Sequence, residues 1–144
     1  MIENDTIKLL RECDAGVGMG VASISDVLDS VKSPRLKSTL EKSKSDHEAL
    51  GSDIRNLLAD YHDDGKSPNP IAKGMSWMKT NVKLAAEPTD NTVAELMTDG
   101  CNMGIKSLSR YLNQYEAADE KSKNIAKKLV QLEAELVSDM RGYL

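Results

Sequence analysis

Apolar residues recur every three or four positions from the start of this chain, and that spacing dictates helix. Ile7, Leu10, Val17, Val21, Ile24, Leu28 and Val31 form one stripe, and Asp14 fills the seam position between Leu10 and Val17. A period near 3.6 places them on one face of a helix from Glu3 to Lys32, with Asn4 or Asp5 as its N-cap. Ser33-Pro34 then ends that helix and starts another, because proline disfavours helix in the residue before it yet fits the first helical position. So short a connection forces two antiparallel helices. The second stripe is Leu36, Leu40, Ser43, His47, Leu50, Ile54, Leu57 and Tyr61, and it ends at Asp63-Asp64-Gly65.

A polar loop at 67–70 leads into a short amphipathic segment, Ile71, Met75, Met78 and Val82 with Trp77 beside them, which Glu87-Pro88 breaks. A third long helix is predicted from Thr92 to Glu116, where Thr92 and Glu95 have capping-box spacing. Its seam is Val93, Met97, Cys101, Gly104, Leu108, Tyr111 and Tyr115. A link at 117–119 precedes a fourth stripe, Ile125, Leu129, Leu132, Leu136, Met140 and Tyr143. Glu133 and Glu135 fall on the flank of that stripe. The expected organisation is one all-α domain over 1–144: a hairpin at about 4–62, a crossover at about 63–91 and a second hairpin at about 92–144. Burying each hairpin's stripes against the other's gives an antiparallel four-helix bundle.

Composition agrees with helix-on-helix packing. Phe is absent and there is one Trp, so the core must be aliphatic and methionine-rich rather than the aromatic, β-branched core of a sandwich. A formal net charge of -4, with no basic cluster, argues against a nucleic-acid partner. There is no run of about 18 apolar residues that would span a membrane, and the first residues carry no basic, apolar leader. Two cysteines make neither a disulfide framework nor a zinc cluster. A cytoplasmic location is the expectation.

The two hairpins also resemble each other. Gly16-Val17-Gly18-Met19-Gly20 recurs as Gly100-Cys101-Asn102-Met103-Gly104. At the same offset Ser23 meets Ser107, Leu28 meets Leu112 and Lys37-Ser38 meets Lys121-Ser122. After two single-residue slips, Glu48-Ala49 meets Glu133-Ala134 and Ser52-Asp53-Ile54-Arg55 meets Ser138-Asp139-Met140-Arg141. Shared mid-helix glycines are hard to ascribe to chance, because each costs about 1 kcal/mol against alanine. The repeat predicts a duplicated αα-hairpin.

Duplicated hairpins with a long crossover resemble the ferritin-like superfamily, in particular small bacterial bundles with a Cys-x-x-Gly-Glu element, a second Gly-Glu and a Trp-bearing crossover helix. The matching residues are Cys13-Asp14-Ala15-Gly16, Asp99-Gly100 and the segment Lys73 to Lys79 around Trp77. The resemblance implies a di-iron site with a Glu from each of two helices and a Glu-x-x-His from each of the others. This chain has Val17 and Cys101 at the two Gly-Glu positions, Lys44 before the surviving His47, and no histidine in its last stripe.

No catalytic residue is expected. There is no Gly-x-Ser-x-Gly elbow, and the glycine-rich run sits mid-helix rather than after a strand. His47 reads as a satisfied core histidine, Asp14 as a seam carboxylate able to meet His47 or Lys44, and Cys101 as a small buried hydrophobe. A residual mononuclear site from Asp14, His47 and Cys101 is the alternative, and iron or zinc its metal. Gly16, Gly20, Gly100 and Gly104 are expected to pack helix one on helix three, closing the space a di-metal centre would fill, or else to serve a subunit interface. The functional expectation is therefore a non-enzymatic structural or interaction protein, a homodimer or the partner of another protein. The alternative is a metal-binding or oxidative-stress protein. Lys73, Lys79 and Lys83 on the crossover segment raise membrane-surface association, against which packing on the bundle is the commoner fate.

Overall fold

The computed structural model describes residues 4–63 and 84–144. Among them every regular element is helical: α1 (Asn4–Leu28), α2 (Pro34–Asp60), α3 (Asp90–Gln114), α4 (Glu120–Met140) and a closing 3-10 turn at Arg141–Tyr143. The amphipathic crossover segment, Ile71 to Val82, lies outside the described residues.

Local chemistry sets the helix ends. Ser33 caps α2, its hydroxyl accepting from the Leu36 N–H at 3.2 Å, and Pro34 supplies the first turn as expected. Asp119 caps α4 in the same way, accepting from Ser122 N–H at 2.8 Å. The cap of α3 is Thr89 rather than Thr92: the Thr89 hydroxyl accepts from Thr92 N–H, and Thr92 is buried one turn inside. Pro88 had already broken the chain, so the next hydroxyl residue was free to start the helix. At the other end of α2, Asp63 N–H donates to the Leu58 carbonyl and His62 N–H to that of Ala59. This is a Schellman closure with His62 in the left-handed position, at φ 58°. The helix thus ends before Asp63-Asp64-Gly65, and the Asp63 carboxylate pairs with Arg11 on α1.

Hydrogen bonds between the ends fix the helix directions. The Asp90 carboxylate accepts from the N–H groups of Lys32 and Ser33, at 2.7 and 3.0 Å, so α3 begins beside the α1–α2 turn. Asp5 and Thr6 accept from Ala117 N–H and Asp119 N–H, so the α3–α4 link lies at the start of α1. α1 and α4 therefore run one way, and α2 and α3 the other. α1 packs on α2 and α3, α4 packs on both of these, and α1 also meets α4 across the middle. The chain leaves α2 at one end of this assembly and enters α3 at the opposite end.

Two aliphatic clusters fill the interior. One holds Leu9, Leu10, Cys13, Ile54, Leu58 and Leu129, and the other Ile24, Leu36, Leu40, Val93, Met97, Leu136 and Met140. Each fully buried leucine contributes about 1.5–3 kcal/mol, so these clusters carry the stability of the fold. In α1 the buried line is Leu10, Cys13, Val17, Ile24 and Val27, which shifts the seam off Asp14 and onto Cys13. A straight helix drifts about 20° per heptad, enough to move a flank residue into the core over this length.

Candidate functional site

A polar layer separates the two aliphatic clusters. His47 on α2 is fully buried, and Glu133 on α4 is only 6% exposed. The His47 Nδ1 lies 2.7 Å from the Ser43 carbonyl oxygen, one helical turn back. A carbonyl can only accept, so Nδ1 carries a proton. The other ring nitrogen, Nε2, lies 3.5 Å from Glu133 Oε1. A neutral ring would then present a bare lone pair to a carboxylate. Protonation gives each nitrogen a donor for its acceptor, and the site therefore favours the imidazolium. Burial pulls the His47 pKa down, but the Glu133 hydrogen bond, the Ser43 carbonyl and the charges of Glu133 and Asp46 outweigh it and raise the value above 6.5.

Glu133 lies in the core and not on the flank of the α4 stripe, where the spacing of the large apolar residues puts it. Its burial follows from the true seam of α4, which runs Ser122, Ala126, Leu129, Glu133, Leu136 and Met140. These steps of four and three are the stricter pattern, and Ile125 and Leu132 lie beside it, half-buried. Counting small residues as seam positions would have found Glu133. The stripe of large apolar residues alone concealed it.

Cys101 on α3 is buried and faces the same carboxylate. Burial, then the charge of Glu133 and a hydrogen bond to it, push its thiol far above the ordinary range. Cys13 sits in the other layer, where burial and the neighbouring charges of Glu12 and Asp14 push its thiol up to about 12. Neither thiol is poised as a nucleophile. Asp14 does not join His47 and Cys101. It lies 3.9 Å from Arg55, at the edge of the α1–α2 contact.

The glycines are used differently from the expected helix-to-helix crossing. A Cβ at Gly20 would lie 2.9 Å from His47 Cδ2 and 3.0 Å from Nε2, and one at Gly104 would lie 3.5 Å from Glu133 Oε1. These two glycines make room for the buried pair. A Cβ at Gly16 would touch the Leu129 and Leu108 side chains, and one at Gly100 would meet nothing within 4 Å. The interior at the polar layer is thus closed by side chains of α2 and α4 lying over bare backbone on α1 and α3, rather than by backbone meeting backbone.

The residues do not fit the di-iron centre that the resemblance implies. Val17 and Cys101 bring no carboxylate, and the Glu133 carboxylate already faces an imidazole and a thiol. Among the described residues no group of three His, Cys, Asp or Glu side chains converges in a way that could hold a metal ion. No described helix is long and apolar enough to cross a membrane. Comparison with known proteins places the chain in no group: no family model, no curated protein and no solved structure matches it.

Proposed function

We propose that this chain is a non-enzymatic structural or interaction protein, a four-helix bundle of ferritin-like type whose centre is occupied by a histidine–glutamate ion pair. The observation that carries the reading is the buried contact of His47 with Glu133, at 3.5 Å between α2 and α4. Cations need anionic ligands to balance their charge. Here a protonated imidazole, itself cationic, occupies that place and takes up the negative charge of the one central glutamate.

The duplication supports the same reading. His47 and Glu133 hold similar places, each on the second helix of its hairpin and one residue apart in the register that pairs Glu48-Ala49 with Glu133-Ala134. Gly20 faces His47 and Gly104 faces Glu133, and the equivalent Val17 and Cys101 are both buried. Each hairpin thus contributes the same constellation, a glycine under a polar residue, and the two polar residues are complementary.

A cytoplasmic setting belongs to this proposal. Cys13 and Cys101 are free and occupy different layers of the interior, so no disulfide joins them. The test is the metal content of protein purified without chelator, with His47→Ala as control. The reading expects iron and zinc well below one per chain in both proteins. Stoichiometric metal that is lost in the variant overturns it in favour of a metal-binding protein.

A further inference from the structure

We propose that the α2–α4 face is a self-association surface, on which a second copy of this chain docks about a two-fold axis parallel to the helices. The inference rests on the interaction reading above and names its partner. Toward the α2 C-terminus this face carries a groove of about 600 Å³. Its α2 wall is acidic, with Asp53 and Asp60, and its α4 wall is basic, with Lys121, Lys127 and Lys128. Leu57 and Ile125, both half-buried, form an apolar floor between them.

The two stripes are continuous on their helices. Asp53, Leu57 and Asp60 recur at helical spacing on α2, as do Lys121, Ile125 and Lys128 on α4. None of these five charged residues is joined in an ion pair to another described residue. In the opposite half the signs on α2 are mixed and those on α4 are acidic. There α2 carries Lys42, which pairs with Asp46 and feels the charges of Glu135 and Asp139 on α4.

The pairing of an acidic wall with a basic one singles out a second copy. Rotation about an axis parallel to the helices lays the α2 of one subunit over the α4 of the other at the same height. Asp53 and Asp60 then face the partner's lysine stripe twice over, and Lys42 faces Glu135 and Asp139 in the other half. An unrelated acidic or basic surface would satisfy one wall and be repelled by the other. The overlapping length of two adjacent helices, about 30 Å by 20 Å, offers about 600 Å² per subunit. That is at the lower end for a specific dimer, so the association is expected to be micromolar and salt-sensitive.

The test is sedimentation equilibrium of the full chain from 1 to 500 μM, with charge-reversed variants. One variant carries Lys121→Glu and Lys128→Glu, and the other Asp53→Lys and Asp60→Lys. All four positions are exposed, and circular dichroism verifies that the variants fold. The wild type is expected to dimerise, each variant alone to dissociate at least tenfold more readily, and the equimolar mixture to recover the dimer. A wild type monomeric throughout, or a dimer indifferent to both variants, overturns the proposal. So does a mixture that fails to associate. Metal analysis of the same samples separates the two claims. A metal-poor monomer refutes this surface alone, whereas stoichiometric metal refutes the reading beneath it.

Discussion

Substituting alanine for each central glycine in turn separates steric from intrinsic effects. Alanine in a helix interior is favoured over glycine by about 1 kcal/mol wherever its methyl group fits. At Gly100 nothing lies within 4 Å of the added Cβ, so Gly100→Ala should stabilise by about that amount. At Gly104 the nearest atom is Glu133 Oε1 at 3.5 Å, an ordinary contact, and Gly104→Ala should also stabilise, by about 0.5–1 kcal/mol. At Gly20 the Cβ would lie 2.9 Å from His47 Cδ2. The ring cannot swing aside cheaply, because it is fully buried and its Nδ1–H is held by the Ser43 carbonyl at 2.7 Å. Overpacking of this kind costs about 1–3 kcal/mol, so Gly20→Ala should be destabilising by about 1 kcal/mol net. In a His47→Ala background the obstacle is gone and the same change should stabilise by about 1 kcal/mol, a coupling of about 2 kcal/mol. Urea denaturation followed by circular dichroism reads each value from the midpoint at constant slope. The reasoning is refuted if Gly20→Ala stabilises as Gly100→Ala does, or if its effect is the same with and without His47.

Other expectations follow from the polar layer. Because the His47 pKa is raised in the folded state, its contribution to stability is complete below about pH 6.5 and fades as pH rises through the folded value. The stability of wild type over His47→Gln should therefore shrink from pH 6 to pH 9 in denaturation series, and a difference that grew with pH would reverse the sign of the argument. Glu133→Leu alone should cost about 1–3 kcal/mol, because the buried ring sheds its proton and leaves Nε2 without a partner, whereas His47→Leu with Glu133→Leu should be close to neutral or stabilising. Equal losses in the single and the double variant would show that the pairing is immaterial. The native thiols, with Cys13 pushed up to about 12 and Cys101 raised further, should react with a disulfide reagent at pH 8 only as fast as the protein unfolds. Rapid labelling of either thiol in the folded protein would contradict their placement.

The helices were legible from residue spacing, and so was the proline-capped turn at Ser33-Pro34. The depth of particular residues was less so. Asp14 and Cys13 are neighbours, and the drift of a straight helix decides which of them enters the core. The burial of Glu133 is hidden in the sequence because a charged residue is ordinarily solvated unless a partner meets it. That partner, His47, lies 86 positions away on another helix. The glycine repeat was visible, but its purpose depends on which side chain leans over each glycine, and only packing decides that. Likewise, the complementary walls of the α2–α4 groove are unremarkable charge patterns until the two helices lie side by side.

A protonated His47, held between the Ser43 carbonyl and Glu133, is proposed to fill the layer between the two aliphatic clusters. Nitrogen-15 NMR of the two imidazole nitrogens through a pH titration, with and without added zinc or ferrous iron, tests it directly. Two N–H protons are expected on His47 at pH 6, with a titration midpoint above 6.5 and no shift on adding either metal. A ring already neutral at pH 6, or a metal-induced shift at Nε2, would contradict it.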